Sequence, residues 1–165
     1  MDPTLLDLLT FSSSDLQGIY LPHDDPLVVT LTITNFSIKR AIMDIGSSSD
    51  ILFVDAFNRL GISRDRLRPI ATSFLGFNRS TKKPLGMKEF LILMGTPQQQ
   101  DSILVNFVVM EAPSVYNVII GRPTLNRARV VISIYSRIIK FPIPYGVGSI
   151  LGDQTIAWYY YINSL

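Results

Sequence analysis

The strongest constraint on this chain is its rhythm: short runs of apolar, often β-branched residues, with little helical periodicity, separated by clusters of turn formers. Leu27-Val28-Val29-Thr30-Leu31-Thr32-Ile33-Thr34 alternates apolar residues with threonine, as a half-buried strand does. Asn35-Phe36-Ser37 turns the chain, and residues 38–44 read as the second strand of a hairpin. Asp50-Ile51-Leu52-Phe53 is apolar and extended, and residues 54–60 read as a short helix with Ala56, Phe57 and Leu60 on one face, closed by Gly61. Residues 71–77 and 85–94 read as strands joined across the polar stretch 78–84, a protruding hairpin. A loop is expected over 95–100 and strands over 102–110 and 116–121. A second short helix over 122–128 tolerates Pro123 near its start. Strands over 129–135 and 137–143 complete a mainly β class with one or two short helices.

At 165 residues the chain is long enough to bury a core of its own and short enough for one domain. Apolar residues make up 47% and charged residues 17%, a packed domain rather than a disordered one. The net charge of +2 is mild and the basic residues are scattered, so no nucleic-acid site is expected. The absence of cysteine excludes disulfides, thiolate zinc sites and cysteine nucleophiles. His23-Asp24-Asp25, just before Pro26, reads as a turn rather than a metal cluster, and neither metal nor cofactor is expected. The acidic N-terminus, with Asp7 interrupting its apolar run, does not read as a secretory signal, and nothing approaches a membrane span. An intracellular, cytoplasmic protein without a membrane partner is the expectation. By composition the chain divides into an N-terminal arm at 1–25, a folded domain at 26–144, and a linker and tail at 145–165.

The residue that asks for an explanation is Asp44. It ends an apolar strand and is followed at once by Ile45, Gly46, Ser47 and Ser48. An ionised carboxylate leaves water only at a cost, so its place at the end of such a strand points to a use. Gly46 allows a tight turn, and the serine hydroxyls and local amides can hold the carboxylate in one orientation. The plain alternative is a solvated turn built from ordinary turn formers. Another is a serine hydrolase using Ser47 or Ser48 with His23, which would require the sole histidine to work from the N-terminal arm. Residues 35–60 and 106–128 also resemble each other, each running from Asn-Phe through apolar strand to glycine and short helix, with Asp44-Ile45-Gly46 set against Ile119-Ile120-Gly121. Internal two-fold pseudosymmetry is the expectation, with the carboxylate in the first copy alone.

Four motifs in order then resemble a known family. Ile42-Met43-Asp44-Ile45-Gly46-Ser47, the hairpin after it, Ile119-Ile120-Gly121-Arg122 and Tyr145-Gly146-Val147-Gly148 are similar to the retropepsin-like aspartic protease segment of plant Gypsy-type LTR retrotransposon polyproteins. The resemblance runs from about Phe11 to Gln154 and includes His23-Asp24-Asp25. It implies an all-β, closed acid-protease barrel that forms a homodimer and cuts a polypeptide substrate. It implies further that Asp44 is the catalytic aspartate and that Ile45, Gly46, Ser47 and Ser48 form the active-site loop. Gly76, Phe77 and Asn78 would belong to the flap, and Ile120, Gly121 and Arg122 would brace the loop from behind. Phe77 and Ile51 would be pocket walls. The chain departs from the family at Ile45, where a threonine or serine hydroxyl usually holds the two loops together. That departure favours the alternative, a catalytically silent module that only dimerises or binds peptides.

Overall fold

The computed structural model describes residues 9–16, 27–70 and 83–153. His23 and the 76–82 part of the hairpin, including Gly76, Phe77 and Asn78, lie outside the described residues. Six strands close into a barrel: β1 (Val28–Ile33), β2 (Phe36–Met43), β3 (Asp50–Phe53), β4 (Lys83–Thr96), β5 (Gln99–Glu111) and β6 (Val118–Ile120), in the order β1-β2-β6-β3-β5-β4. Helix α1 (Val54–Arg59) follows β3 and helix α2 (Arg122–Arg127) follows β6. A second sheet, ordered β7-β8-β9, is built from β7 (Val131–Ser133), β8 (Ile138–Ile143) and β9 (Gly146–Leu151). Among the described residues no helix is long and apolar enough to cross a membrane.

The alternation read in the first strand is present: Val28, Val29, Leu31 and Ile33 are buried while Thr30 is exposed. Thr34 and Asn35 both take positive φ at the β1–β2 turn, the mirror-image turn that suits the twist of a hairpin. One residue decides where β2 points its side chains. Val29 pairs with Ala41 but Leu31 pairs with Ile38, so β2 holds one more residue than β1 there, and Arg40 sits in the left-handed region at φ 61°. This bulge shifts the inward parity, so that Ile38 faces the core on one side of it and Ala41 and Met43 on the other. Without the bulge, alternation from Ile38 would carry Asp44 into the barrel core. With it, the carboxylate follows Met43 onto the outward side.

The long antiparallel pairing of β4 with β5 runs from Lys83↔Glu111 to Thr96↔Gln99. The stretch expected as a loop over 95–100 is therefore a tight turn at Pro97-Gln98, with Gln99, Gln100 and Asp101 inside the ladder. Polar side chains are compatible with this strand end because it is largely exposed. Residues 146–151, whose glycines suggested a linker, form β9 and pair along all of β8. Glycine is needed there for packing: a Cβ on Gly148 would lie 2.4 Å from the Phe141 ring.

The expected pseudosymmetry is present in the strand pairing. Exchanging β1, β2 and β3 with β4, β5 and β6 leaves it unchanged: β2 runs parallel to β6 as β5 does to β3, both hairpins are antiparallel, and β1–β4 and β3–β6 map onto themselves. The alignment of the copies differs from the one read in sequence. Asp44 follows β2, whose counterpart is β5, whereas Ile120-Gly121 ends β6, the counterpart of β3. The two motifs are thus spatial neighbours across a parallel pair, not equivalent positions.

The main core fills the barrel with residues such as Leu31, Leu52, Phe90, Ile92, Phe107 and Ile120, and is extended by Ile139 and Phe141 of β8. A smaller cluster of Ile51, Val108 and Met110 lies on the other face of β3 and β5. Ile51, expected as a pocket wall, is buried in this cluster, with Ile119 packed against it.

Candidate active site

Parallel pairing of β2 with β6 sets Met43 beside Ile120, and both strands end at the same edge of the barrel. Asp44 leaves β2 there, its N–H donating to the Ile120 carbonyl at 2.9 Å. The chain then turns on itself: the Ser47 amide donates to the Asp44 carbonyl at 3.2 Å, and the Gly46 amide donates to Asp44 Oδ1 at 2.9 Å. The half-buried carboxylate is thereby fixed by its own loop. Ser47 Oγ donates to the Ser49 carbonyl at 2.6 Å and closes the loop internally, while Ser48 is exposed. Ile45 stands out at 66% exposure, an apolar side chain beside the carboxylate.

The residues expected behind the loop meet it through the backbone. The Arg122 amide donates to the Ser47 carbonyl at 2.9 Å. Gly121 passes so close that a Cβ would lie 2.4 Å from the Ser49 oxygen and 2.8 Å from the Ser47 oxygen. The Arg122 side chain is exposed and lines a groove of about 700 Å³ together with Ile42, Asp44, Ile45, Asn126 and Ile132. This groove is mainly apolar, and Asp44 is the one carboxylate among its described lining residues.

Sequence reasoning passed over Asp50. It opens β3 at 3% exposure, accepts from the Gly121 amide through Oδ1 at 2.8 Å and from Thr124 Oγ1 through Oδ2 at 2.8 Å. Burial pushes this carboxyl above the ordinary carboxylate value, against the pull of the Gly121 and Thr124 hydrogen bonds and of the Arg127 charge. The available signal was an acid placed directly before Ile51-Leu52-Phe53. Among the described residues no group of His, Asp or Glu could hold a metal ion.

No family model matches the chain, and no curated protein does. Solved structures do. The retroviral protease-like domain of Ddi1 from Leishmania major matches with a TM-score of 0.61 and 19% identity over 80% of this chain and 98% of that one. A retropepsin-like aspartic protease from Rickettsia conorii matches with a TM-score of 0.48 and 14% identity, over 74% of this chain and 79% of that one. EIAV protease complexed with the inhibitor HBY-793 gives 0.45 and 16%, over 70% and 98%. At 19% identity the likeness to the Leishmania domain shows the fold of this chain to be the retropepsin-like closed barrel.

Proposed function

We propose that this chain is an aspartic endopeptidase whose site is completed by a second copy of itself. The observation that carries the reading is the Asp44 loop: a carboxylate held by the Gly46 amide and lining a mainly apolar groove, where β2 and β6 of a retropepsin-like barrel end together. Peptide hydrolysis by carboxylates takes two of them at close range, because like charges so near share one proton and divide the work. The ionised member removes a proton from water as its oxygen bonds to the scissile carbonyl carbon. The protonated member gives its proton to the carbonyl oxygen, and collapse of the diol breaks the C–N bond as the amine takes up a proton. Among the described residues lining the groove, Asp44 is the only carboxylate, and both oxygens of Asp50 are turned to Gly121 and Thr124. One chain therefore offers half a dyad. In this reading Ile45, Gly46, Ser47 and Ser48 shape the loop, Ile120, Gly121 and Arg122 brace it, and the 76–78 segment serves as the flap. The order of motifs supports a retroelement polyprotein as the source and the substrate.

A second reading, a silent peptide-binding or dimerising module, is favoured by Ile45, which is exposed and offers no hydrogen bond where the two loops would meet. Cleavage of an apolar-containing peptide at a pH of about 5 separates the two, because there such a pair holds one proton. Cleavage that is lost in Asp44→Asn and falls on dilution supports the protease. Equal activity in both proteins, or undiminished specific activity in a demonstrated monomer, refutes it.

A further inference from the structure

The start of α2 is short of caps. Its N-cap residue, Gly121, has no side chain to offer, and the helix has only six residues, with a proline in its first turn. Its first two amides are taken by the segment from Ser47 to Asp50 that follows Asp44. The Gly121 amide goes to Asp50 Oδ1, the Arg122 amide goes to the Ser47 carbonyl, and Pro123 has no N–H. The Thr124 hydroxyl, fully buried, adds a side-chain donor to the same carboxylate. Asp50 thus caps α2 from a segment more than seventy residues away in the chain.

We infer that Asp50 and Thr124 are positioning residues for Asp44, locking the β6–α2 corner against the 44–49 loop so that the Gly46 amide holds the reactive carboxylate in one place. The route is continuous. Asp50 and Thr124 hold the turn at Gly121, the Arg122 amide holds Ser47, the Ser47 amide holds the Asp44 carbonyl, and Gly46 between them reaches Asp44 Oδ1. Gly121 leaves little slack in that chain, since a Cβ there would lie 2.8 Å from the Ser47 oxygen and 2.4 Å from the Ser49 oxygen. A buried carboxylate is a costly cap, and apolar packing would be cheaper if holding the fold were its whole purpose.

The inference deepens the protease reading and rests on it for its kinetic part. The variants are Thr124→Val, which keeps the volume and removes the hydroxyl, Thr124→Ser, which restores it, and Asp50→Asn. For each, peptide cleavage is measured alongside amide hydrogen exchange at Gly46 and Arg122, with Ile92 and Val105 of the β4–β5 ladder as internal references. Thr124→Val is expected to lower kcat about tenfold with KM within about twofold, and to speed exchange at Gly46 and Arg122 about tenfold while the ladder amides keep their rates. Thr124→Ser is expected to recover both. A folded Thr124→Val with kcat and Gly46 exchange unchanged overturns the inference, as does a loss of kcat without faster exchange at Gly46. If Asp50→Asn does not fold, the Thr124 pair decides. If the wild-type protein cleaves nothing, the protease reading fails, and the exchange comparison alone then upholds or overturns the clamp.

Discussion

Replacing Gly121 with alanine puts the tightest contact of the site under direct test. The backbone at Gly121 is extended, with φ −103° and ψ −171°, so alanine has no conformational penalty there and any cost is steric. The new methyl would stand 2.4 Å from the Ser49 carbonyl oxygen, 2.8 Å from that of Ser47 and 3.0 Å from the Ser49 carbonyl carbon. All three are backbone atoms, and none can swing away as a side-chain end can. Overpacking of this kind costs about 1–3 kcal/mol. Parting the segments also loosens the Gly121–Asp50 and Arg122–Ser47 hydrogen bonds, the first of them to a carboxylate, worth together about 2 kcal/mol. The sum is about 3–5 kcal/mol. With a urea dependence of about 2 kcal/mol per molar for a domain of this size, the unfolding midpoint should fall by about 2 M. Urea titrations at one fixed protein concentration, followed by far-UV circular dichroism, measure it. Gly146→Ala is the control, since nothing lies within 4 Å of a Cβ at that position, and its midpoint should stay within about 0.3 M of wild type. A Gly121→Ala midpoint as close to wild type as the control's would refute the close-approach argument and with it the bracing of the Asp44 loop.

Arg40, at φ 61° in the β2 bulge, should be far less tolerant of valine than of glycine. Both variants lose the hydrogen bond to Asn117, so Arg40→Val should be the less stable by about 1–2 kcal/mol in urea unfolding, and equal stability would remove the strain argument. Burial raises the Asp50 carboxyl, so its folded-state value lies above the unfolded 3.8. The stability this group contributes is then fully present below about pH 3.8 and is lost as pH rises through the folded value. Urea midpoints between about pH 3.5 and 7 should therefore fall, relative to Asp50→Asn, as pH rises, and the opposite slope would contradict the assignment. Lys140 ties the segment at 9–16 to β8 through the Thr10 carbonyl at 2.6 Å, the Asp15 carboxylate at 3.2 Å and the Phe11 ring. Lys140→Met should leave the urea midpoint nearly unchanged but admit protease to that segment faster, and unchanged nicking would show that other contacts hold it.

How much of this could be read from the residues depends on how local each cause is. The first hairpin was legible because its causes lie within a few residues: threonine alternating with apolar residues, then Asn35 where φ must be positive. Asp44 was legible because a carboxylate closing an apolar strand is anomalous on its own. The bulge at Arg40 was not, although it decides which side Asp44 takes, because one extra residue leaves no mark on composition. Asp50 escaped for a related reason. It stands between Ser47-Ser48-Ser49 and an apolar strand, where an acid can point to water, and the groups that justify burying it, Gly121 and Thr124, lie 71 and 74 residues further along. Strand β9 was hidden by Gly146 and Gly148, which suggest a linker until the Phe141 ring is placed against Gly148. The repeat was visible in outline yet misaligned, because two strand ends that finish in glycine look alike whether they are equivalent or merely adjacent.

The central claim, that Asp44 works only opposite its own copy, is tested most directly by mixing subunits. Wild-type protein is unfolded and refolded with an equal amount of Asp44→Asn, and peptide cleavage is compared with that of wild-type refolded alone at the same total concentration. A site shared between two chains predicts activity of about one quarter, because only wild-type pairs carry both carboxylates. Activity of about one half would mean that each chain carries a complete site, and would contradict the account.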